Sequence, residues 1–290
     1  MELNVKCCEL CPNHCAVDRS TNYGFCKSHS KLKIAKFSLH PFEEPVISGT
    51  NGSGTIFFCG CSLKCVFCQN FEVSRGLVGK EISIDELVDI FKKLEDMGAH
   101  NINLVNPTHY SAQIVEALKI YRPNIPIVWN THGYERVEVL NEVDPYIDIY
   151  LTDLKYFSPK VSMRYSNKEN YFSVAKNAVE FMINSKKTVL SDGLMKSGVI
   201  IRHLILPLNT DDSIALLRWL RPIISNGAIL SLMSQYTPFG DIEKFPELKR
   251  KITKREYKKV LNEVLDLEYE QVFTQDSLSS SEVYIPVWDY

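Results

Sequence analysis

Cysteine is absent from everything that follows Cys68, although the chain of 290 residues contains nine of them. They stand at positions 7, 8, 11, 15, 26, 59, 61, 65 and 68. A secreted protein spreads its disulfides over the whole fold, so this distribution argues against a disulfide framework. Cysteines gathered in one part of a chain favour metal binding instead.

Long apolar runs and a strong charge imbalance are missing as well. No run of about 18 apolar residues occurs, which argues against a transmembrane helix. The N-terminal Met1-Glu2-Leu3-Asn4 lacks the basic and apolar regions of a signal peptide. The net charge of -2 gives no reason to expect a nucleic-acid or membrane partner. We therefore expect a cytoplasmic globular protein.

From residue 55 onward, short β-branched runs alternate with amphipathic helical stretches. This order predicts an α/β fold in which crossover helices connect parallel strands. The clearest helix opens at the capping box Ser83-x-x-Glu86 and ends at Gly98. The predicted strands are 54–58, 102–105, 125–129, 147–151, 199–206 and 228–233. The other predicted helices are 111–121, 135–141, one within 170–184, 212–224 and 254–265.

Three cysteines stand close together with the spacing C-x3-C-x2-C in the stretch Cys61-Ser62-Leu63-Lys64-Cys65-Val66-Phe67-Cys68. Thiolates are the natural ligands of a 4Fe-4S cluster, and three of them leave one iron open to a small molecule. The stretch follows a predicted strand, at the end where α/β barrels place their chemistry. The alternatives are buried thiols or a zinc knuckle with Cys59 as its fourth ligand.

This spacing resembles the signature of the radical S-adenosylmethionine (SAM) enzymes. Cys68-Gln69-Asn70 resembles the end of that motif in glycyl-radical activating enzymes, which implies that Asn70 helps to bind the cofactor. Segments 44–49 and 52–55 are similar to an uncharacterised branch related to pyruvate formate-lyase activating enzyme. The resemblance covers nearly the whole chain. It implies a partial (β/α)6 TIM-type barrel whose 4Fe-4S cluster is held by Cys61, Cys65 and Cys68.

Residues 1–50 are predicted to form a separate Cys-rich module. Cys8-x2-Cys11-x3-Cys15 and then Cys26 supply four thiolates on a backbone too poor in apolar periodicity for its own core, so a metal would hold it together. Zinc and a second iron–sulfur cluster both remain open. Cys7 and His14 are possible substitutes, and free thiols are a further alternative. The barrel is expected over 51–270, followed by a C-terminal tail at 271–290 that packs on it.

Polar residues that follow the predicted strands should converge on one mouth of the barrel. Asn106 and Thr108 occupy the place of a Gly-Gly-Glu stretch in related enzymes, which implies that backbone carbonyls and the Thr108 hydroxyl contact the SAM amino group without the acid. An ordinary Asn-Pro turn is the alternative. Asn130 and Thr131 resemble the start of the Asp-Thr-Asn-Gly stretch of activating enzymes. That stretch implies a monovalent cation near SAM, bound more weakly here because Asn130 replaces the acid.

Three further strands contribute charged or polar residues. Asp153-Leu154-Lys155 matches the family's Asp-Leu-Lys, which implies that Lys155 meets the SAM carboxylate with Asp153 nearby. Arg202 lies in an otherwise apolar strand, and a buried charge needs a partner; we expect Asp153 or the SAM carboxylate. Gln235 falls where activating enzymes contact adenine or ribose. Candidates for a substrate pocket are His109, His132, Gln235 and Tyr236.

The resemblance implies a radical SAM enzyme that cleaves SAM reductively and uses the 5′-deoxyadenosyl radical to abstract hydrogen from a peptide, a protein or a small molecule. It also implies a reducing partner such as flavodoxin or ferredoxin. One alternative is an activase that installs a glycyl radical on a partner enzyme. Another is a non-catalytic iron–sulfur or zinc protein with a redox or binding role.

Overall fold

The fold is built around a row of parallel strands. A computed structural model describes residues 6–274. Its strands are β1 (Leu32–His40), β2 (Ser53–Phe58), β3 (Lys80–Ile82), β4 (Ile102–Val105), β5 (Ile127–Thr131), β6 (Ile149–Asp153), β7 (Val189–Ser191), β8 (Leu194–Leu204), β9 (Ile229–Met233) and β10 (Val272–Thr274). Its α-helices are α1 (Pro45–Ser48), α2 (Phe71–Ser74), α3 (Ile84–Asp96), α4 (Ser111–Ile120), α5 (Val137–Val143), α6 (Pro159–Ser166), α7 (Tyr171–Ser185), α8 (Thr210–Leu220) and α9 (Lys254–Asp266).

The sheet confirms the α/β class and the partial (β/α)6 barrel. Its strand order is β10-β9-β8-β6-β5-β4-β2-β1-β3, with β7 attached to β8. Within residues 6–274, the six neighbours β2, β4, β5, β6, β8 and β9 run parallel, and helices connect them. β10 adds a further parallel strand beside β9, and β1 pairs antiparallel with β2.

Local sequence explains the best-predicted helix. The Ser83 side chain accepts from the Glu86 N–H, and the Glu86 carboxylate accepts from the Ser83 N–H, so the predicted capping box is confirmed. The apolar face Leu87, Val88, Ile90, Phe91 and Leu94 is buried. α9 begins with a second capping box, formed by Thr253 and Glu256.

Two strands begin later than their apolar residues indicate. β5 starts at Ile127 rather than 125, because Pro126 has no N–H for a ladder hydrogen bond. β6 starts at Ile149 rather than 147, because a 3-10 turn at Asp144–Tyr146 precedes it. Both strands also end two residues later than predicted, so Thr131 and Asp153 are the last residues of β5 and β6 rather than residues that follow them.

The barrel interior changes from apolar to polar along its strands. Val128, Leu151 and Ile200 belong to a buried cluster that also contains Ile47 of α1. Side chains two residues further along a strand point to the same side, and those positions hold Asn130, Asp153 and Arg202. The apolar layer therefore supports a polar layer at the C-terminal ends of the strands.

The chain ends are organised as follows. Residues 6–31 contain no helix or strand. Since β1 pairs with β2, residues 32–40 belong to the barrel's own sheet. β10 is the start of the predicted C-terminal tail, and the rest of that tail lies outside the described residues. No helix within 6–274 is long and apolar enough to cross a membrane.

Candidate active site

A cavity of about 280 Å³ opens at the C-terminal ends of the strands. Its walls include nearly all of the barrel residues that the sequence singles out. These are Cys61, Cys65, Cys68, Asn70, Asn106, Asn130, Thr131, Asp153, Lys155, Arg202 and Gln235.

The cysteine loop forms one wall. Cys61 and Cys65 are buried, and the Leu63 and Lys64 N–H groups donate to Cys61 Sγ over 3.3 and 3.5 Å. The Ser166 hydroxyl donates to Cys65 Sγ over 3.1 Å. Burial raises the pKa of Cys61 to about 12 and also raises that of Cys68. Such thiols stay protonated in an empty site and ionise when a metal binds them.

The fit of this loop to a metal cluster rests on its donor set. Within residues 6–274, no group of three or more Cys, His, Asp or Glu side chains already has metal-binding spacing. The loop does offer three thiols on one wall and N–H and O–H donors to sulfur, as iron–sulfur sites use. These residues fit the 4Fe-4S cluster in the chemistry of their donors.

A charged network faces the thiols. Arg202 donates from Nε to Asp153 Oδ1 over 2.8 Å, which confirms the expected pairing. Lys155 Nζ donates to Asp153 Oδ2 over 2.6 Å. Burial by itself would raise the pKa of Asp153, but Arg202 and Lys155 lower it to about 2. Likewise burial would lower the pKa of Lys155, but Asp153 raises it. All three side chains are therefore charged near neutral pH.

Sequence reasoning missed Glu43. It follows β1 and reaches the cavity, where Arg202 Nη1 donates to Glu43 Oε2 over 3.2 Å. Its neighbour Glu44 is buried and accepts from the Ser231 hydroxyl over 2.7 Å, and burial raises the Glu44 pKa. The signal available in the sequence was that two acids, Glu43 and Glu44, are adjacent.

Asn106 lines the cavity and has an unused hydrogen-bond acceptor. Its backbone has φ 58, in the left-handed region, and its Nδ2 donates to the Gly60 carbonyl. Its Oδ1 is buried and has no hydrogen-bond partner among the described residues. Because an unpaired buried acceptor is unfavourable, this oxygen is suited to a ligand that donates a hydrogen bond.

Thr108 does not line the cavity, contrary to the prediction for it. It lies in a 3-10 turn, is fully buried, and its hydroxyl donates to Glu135 Oε1 over 2.5 Å. The Thr131 hydroxyl donates to the same oxygen. Burial raises the pKa of Glu135 to about 7, although these two hydrogen bonds act in the opposite direction. The hydroxyl of Thr108 is thus directed to a buried acid rather than to a ligand.

The candidate pocket residues divide into two pairs. His132 and Gln235 line the cavity, and His132 Nε2 lies 2.8 Å from the Ser62 hydroxyl of the cysteine loop. His109 is buried outside it, with Nε2 2.7 Å from the Cys59 carbonyl, and the Tyr236 hydroxyl donates to the Leu248 carbonyl. Burial lowers the pKa of both histidines to about 3, so each is neutral.

The N-terminal module packs directly on the cysteine loop. Cys61 N–H donates to the Cys26 carbonyl over 3.1 Å, and Asn13 Nδ2 donates to the Ser62 carbonyl over 2.8 Å. Arg19 is fully buried and donates to the carbonyls of Ser28, His29 and His109. The module and the loop therefore form one packed unit.

The four predicted module ligands lie in one neighbourhood. A Cβ at Gly24 would stand 3.2 Å from Cys26 Sγ and 3.6 Å from Cys15 Sγ. Burial, together with the nearby Cys26 and Cys8, raises the pKa of Cys11 to about 12. Cys7 is exposed, and each of the nine cysteines, all of which fall within residues 6–274, is free.

Comparisons with known proteins agree with this fold. The family model described as the radical SAM superfamily matches residues 55–220, more than half of the chain. An uncharacterized protein of Methanocaldococcus jannaschii is 32% identical over 266 residues, covering 88% of this chain and 73% of the relative.

Two solved structures are also similar. Methylornithine synthase aligns with a TM-score of 0.51 at 15% identity over 78% of this chain and 71% of that one. A domain of pyruvate-formate lyase-activating enzyme from Bacteroides vulgatus aligns with a TM-score of 0.39 at 13% identity over 67% of this chain and 91% of that one. The first likeness concerns the fold alone, and the second is too low to support an argument.

Proposed function

The chain belongs to the radical SAM superfamily, and we propose that Cys61, Cys65 and Cys68 hold the 4Fe-4S cluster with which it cleaves SAM. Membership makes SAM-dependent radical chemistry its reaction class. The observation that carries the residue assignment is the single cavity that joins the three thiols to the Asp153–Lys155 pair.

Held by Cys61, Cys65 and Cys68, the cluster would supply the electron for reductive cleavage of SAM to methionine and the 5′-deoxyadenosyl radical that would abstract a substrate hydrogen atom. The protein's own residues bind and orient SAM. Asn106 Oδ1 accepts a hydrogen bond from the SAM amino group, since that oxygen has no partner within the described residues. The Lys155 ammonium binds the SAM carboxylate, and Asp153 keeps that lysine charged and in place.

Arg202 acts as an anchor for this arrangement rather than as a free SAM ligand. Its guanidinium bonds to Asp153, to Glu43 and, over 2.8 Å, to Asn130 Oδ1. Because Asn130 Oδ1 already accepts from the Arg202 guanidinium, a monovalent cation at this oxygen would be repelled by the charge of Arg202. We propose that Asn70 and Gln235, which line the same cavity, contact the remaining parts of SAM.

The substrate site is the second cavity, of about 610 Å³, beside the first. Both cavities share Phe42, Glu43, Arg202, Met233 and Gln235. This volume suits a small molecule or one segment of a peptide. The activase function stays a prediction, because nothing on these walls distinguishes a glycyl C–H bond from others.

The N-terminal module holds a second metal through Cys8, Cys11, Cys15 and Cys26. The proposal is supported by the shared neighbourhood of these thiols and by the absence of helix or strand within residues 6–31. A segment of this kind gains its stability from the metal. Zinc and a second iron–sulfur cluster both match four thiolates.

The proposed function is tested with anaerobically purified protein. Iron, sulfide and zinc contents are measured, the spin spectrum is recorded after dithionite reduction, and SAM is assayed for conversion to methionine and 5′-deoxyadenosine. We expect about four irons with one zinc, or about eight irons without zinc, per chain. Absence of iron after reconstitution, or reduced iron protein that leaves SAM intact, would overturn the proposal.

A further inference from the structure

We propose that an acidic one-electron carrier protein docks on a cation patch in which Lys64 and Lys168 flank the ring of Phe25 and Arg75 and Lys27 lie next to them. The inference rests on the proposed function, because the reductive cleavage of SAM needs an outside electron donor. It deepens that function by naming where the donor binds.

The centre of the cation patch is one aromatic ring between two ammonium groups. Lys64 Nζ lies 4.3 Å and Lys168 Nζ 4.1 Å from the centroid of Phe25, whose side chain is 40% exposed. Lys64 also donates to the Phe25 carbonyl, and Lys168 donates to Asn13 Oδ1. Cation–π contacts hold both lysines here although like charges repel.

Ion pairs do not neutralise the patch in the part of the chain that the structure describes. Within residues 6–274, none of its four cations has a carboxylate at ion-pair distance. Such unbalanced charge is stabilised by carboxylates that a partner supplies.

The patch lies on the back of the cysteine loop. Lys64 stands between Cys61 and Cys65, whose thiols face the cavity, while the Lys64 ammonium contacts Phe25 in the module. Arg75 Nη2 donates to the carbonyls of Lys64 and Cys65 over 3.0 and 3.3 Å. A carrier bound here is separated from the proposed cluster ligands by only the thickness of this loop.

The electron balance identifies the class of partner. One electron leaves the reduced carrier and is consumed when the S–C5′ bond breaks, giving methionine and the 5′-deoxyadenosyl radical. Carriers of the flavodoxin and ferredoxin classes are acidic, so they complement a patch whose cations make no ion pair among residues 6–274. The chain as a whole has a net charge of -2, so general attraction to polyanions does not explain the local excess of cations.

The test compares two electron sources on two double variants. Lys27→Gln/Lys168→Gln removes two patch charges without touching the thiols or the cavity walls. Lys187→Gln/Lys258→Gln removes two exposed charges elsewhere and is the matched control. SAM cleavage is measured against the concentration of reduced flavodoxin and reduced ferredoxin, and separately with dithionite.

We expect Lys27→Gln/Lys168→Gln to raise the KM for the carrier by about tenfold and to keep kcat. Its rate of SAM cleavage with dithionite should equal that of the unchanged protein. Added salt should raise the KM of the unchanged protein more than that of the patch variant. The control variant should behave as the unchanged protein.

Two results would overturn the docking surface while leaving the proposed function intact. One is an unchanged carrier KM in the patch variant. The other is a protein that cleaves SAM with dithionite but with neither carrier. If the variant instead loses affinity for a single-stranded oligonucleotide and keeps its carrier KM, the patch binds nucleic acid and the inference fails. Loss of dithionite-driven cleavage in the unchanged protein would contradict the proposed function itself.

Discussion

Asp153 and Arg202 lie opposite each other on the parallel strands β6 and β8, and the guanidinium Nε donates to the carboxylate across 2.8 Å. The pair is largely shielded from water, with side-chain exposures of 21% and 15%. Lys155 and Glu43 complete the network from either side. Opposite charges are thus held in register by the sheet before any ligand binds.

The first prediction concerns Asp153→Asn in the apo protein. The change leaves Lys155 without its acid, so we expect the free energy of unfolding at neutral pH to fall by about 3 kcal/mol. Because the folded pKa of Asp153 is lowered from 3.8 to about 2, its contribution is present above 3.8 and is lost as the pH falls towards 2. Urea titrations of both proteins measure this. Asp89→Asn, in an exposed ion pair, is the control and should change little.

The second prediction separates the proposed cluster ligands from a neighbouring thiol. Cys65→Ala should lower the iron content by about four irons per chain and abolish SAM cleavage. Circular dichroism should stay unchanged, because the change removes a single sulfur atom and no helix or strand depends on it. Cys59→Ala should retain the iron content and SAM cleavage of the unchanged protein, because Cys59 Sγ lies against Gly79 and does not line the cavity. Equal iron content in the two variants would contradict the assignment.

The third prediction addresses the N-terminal module. Cys11→Ser should lower the metal content beyond that of the barrel cluster and lower the thermal midpoint, since the module depends on its metal. Cys7→Ser, at an exposed cysteine, should leave both unchanged. Metal analysis and thermal unfolding provide the measurements, and identical results for the two variants would remove the second site.

The fourth prediction follows from the buried Glu135. Its folded pKa is raised from 4.5 to about 7 by burial, so the folded state binds the proton more tightly than the unfolded state. Stability should therefore fall by roughly 3 kcal/mol as the pH rises from 4.5 to 7 and stay level above that. Glu135→Gln should lose this dependence, as measured by urea unfolding of the apo protein across that range. Glu116→Gln, at an exposed position of α4, is the control and should retain the pH dependence of the unfolding free energy.

The fifth prediction tests the contact between the module and the cysteine loop. Gly60 has φ 93, and a Cβ there would overlap Ser28 Oγ and the Cys26 carbonyl. Gly60→Ala should therefore separate the module from the loop and reduce SAM cleavage.

Gly193→Ala is the matched control, because Gly193 has φ 77 with nothing within 4 Å. It should show only backbone strain, about 1 kcal/mol. An equal loss of unfolding free energy in the two variants would indicate that the module does not press on Gly60.

Features that depend on residues close together in the sequence were predictable. The capping box of α3 involves residues three apart, and the spacing of Cys61, Cys65 and Cys68 is a property of one loop. Asp153 and Lys155 alternate along extended backbone, so their shared side also follows from sequence. The nine-residue antiparallel strand β1 was not predicted, because its pairing with β2 is a contact between separate segments of the chain.

The failure at Thr108 has a physical cause. Its position after a strand indicated a cavity residue, but the buried carboxylate of Glu135, 27 residues away, takes its hydroxyl. Glu43 is the converse case, since its contact with Arg202 spans 159 residues. Neither relationship leaves a periodic or spacing signal.

Three features were predictable from the sequence because each depends on neighbours along the chain. They are the three-thiol loop, the alternation of strands and helices, and the polar residues at the strand ends. Three contacts followed from tertiary packing instead. Glu43 completes the charge network, and the Thr108 hydroxyl donates to Glu135. The module also places Phe25 against Lys64 and Lys168. A buried or crowded charge takes whichever partner the packed fold brings within reach, and that partner is set by long-range packing.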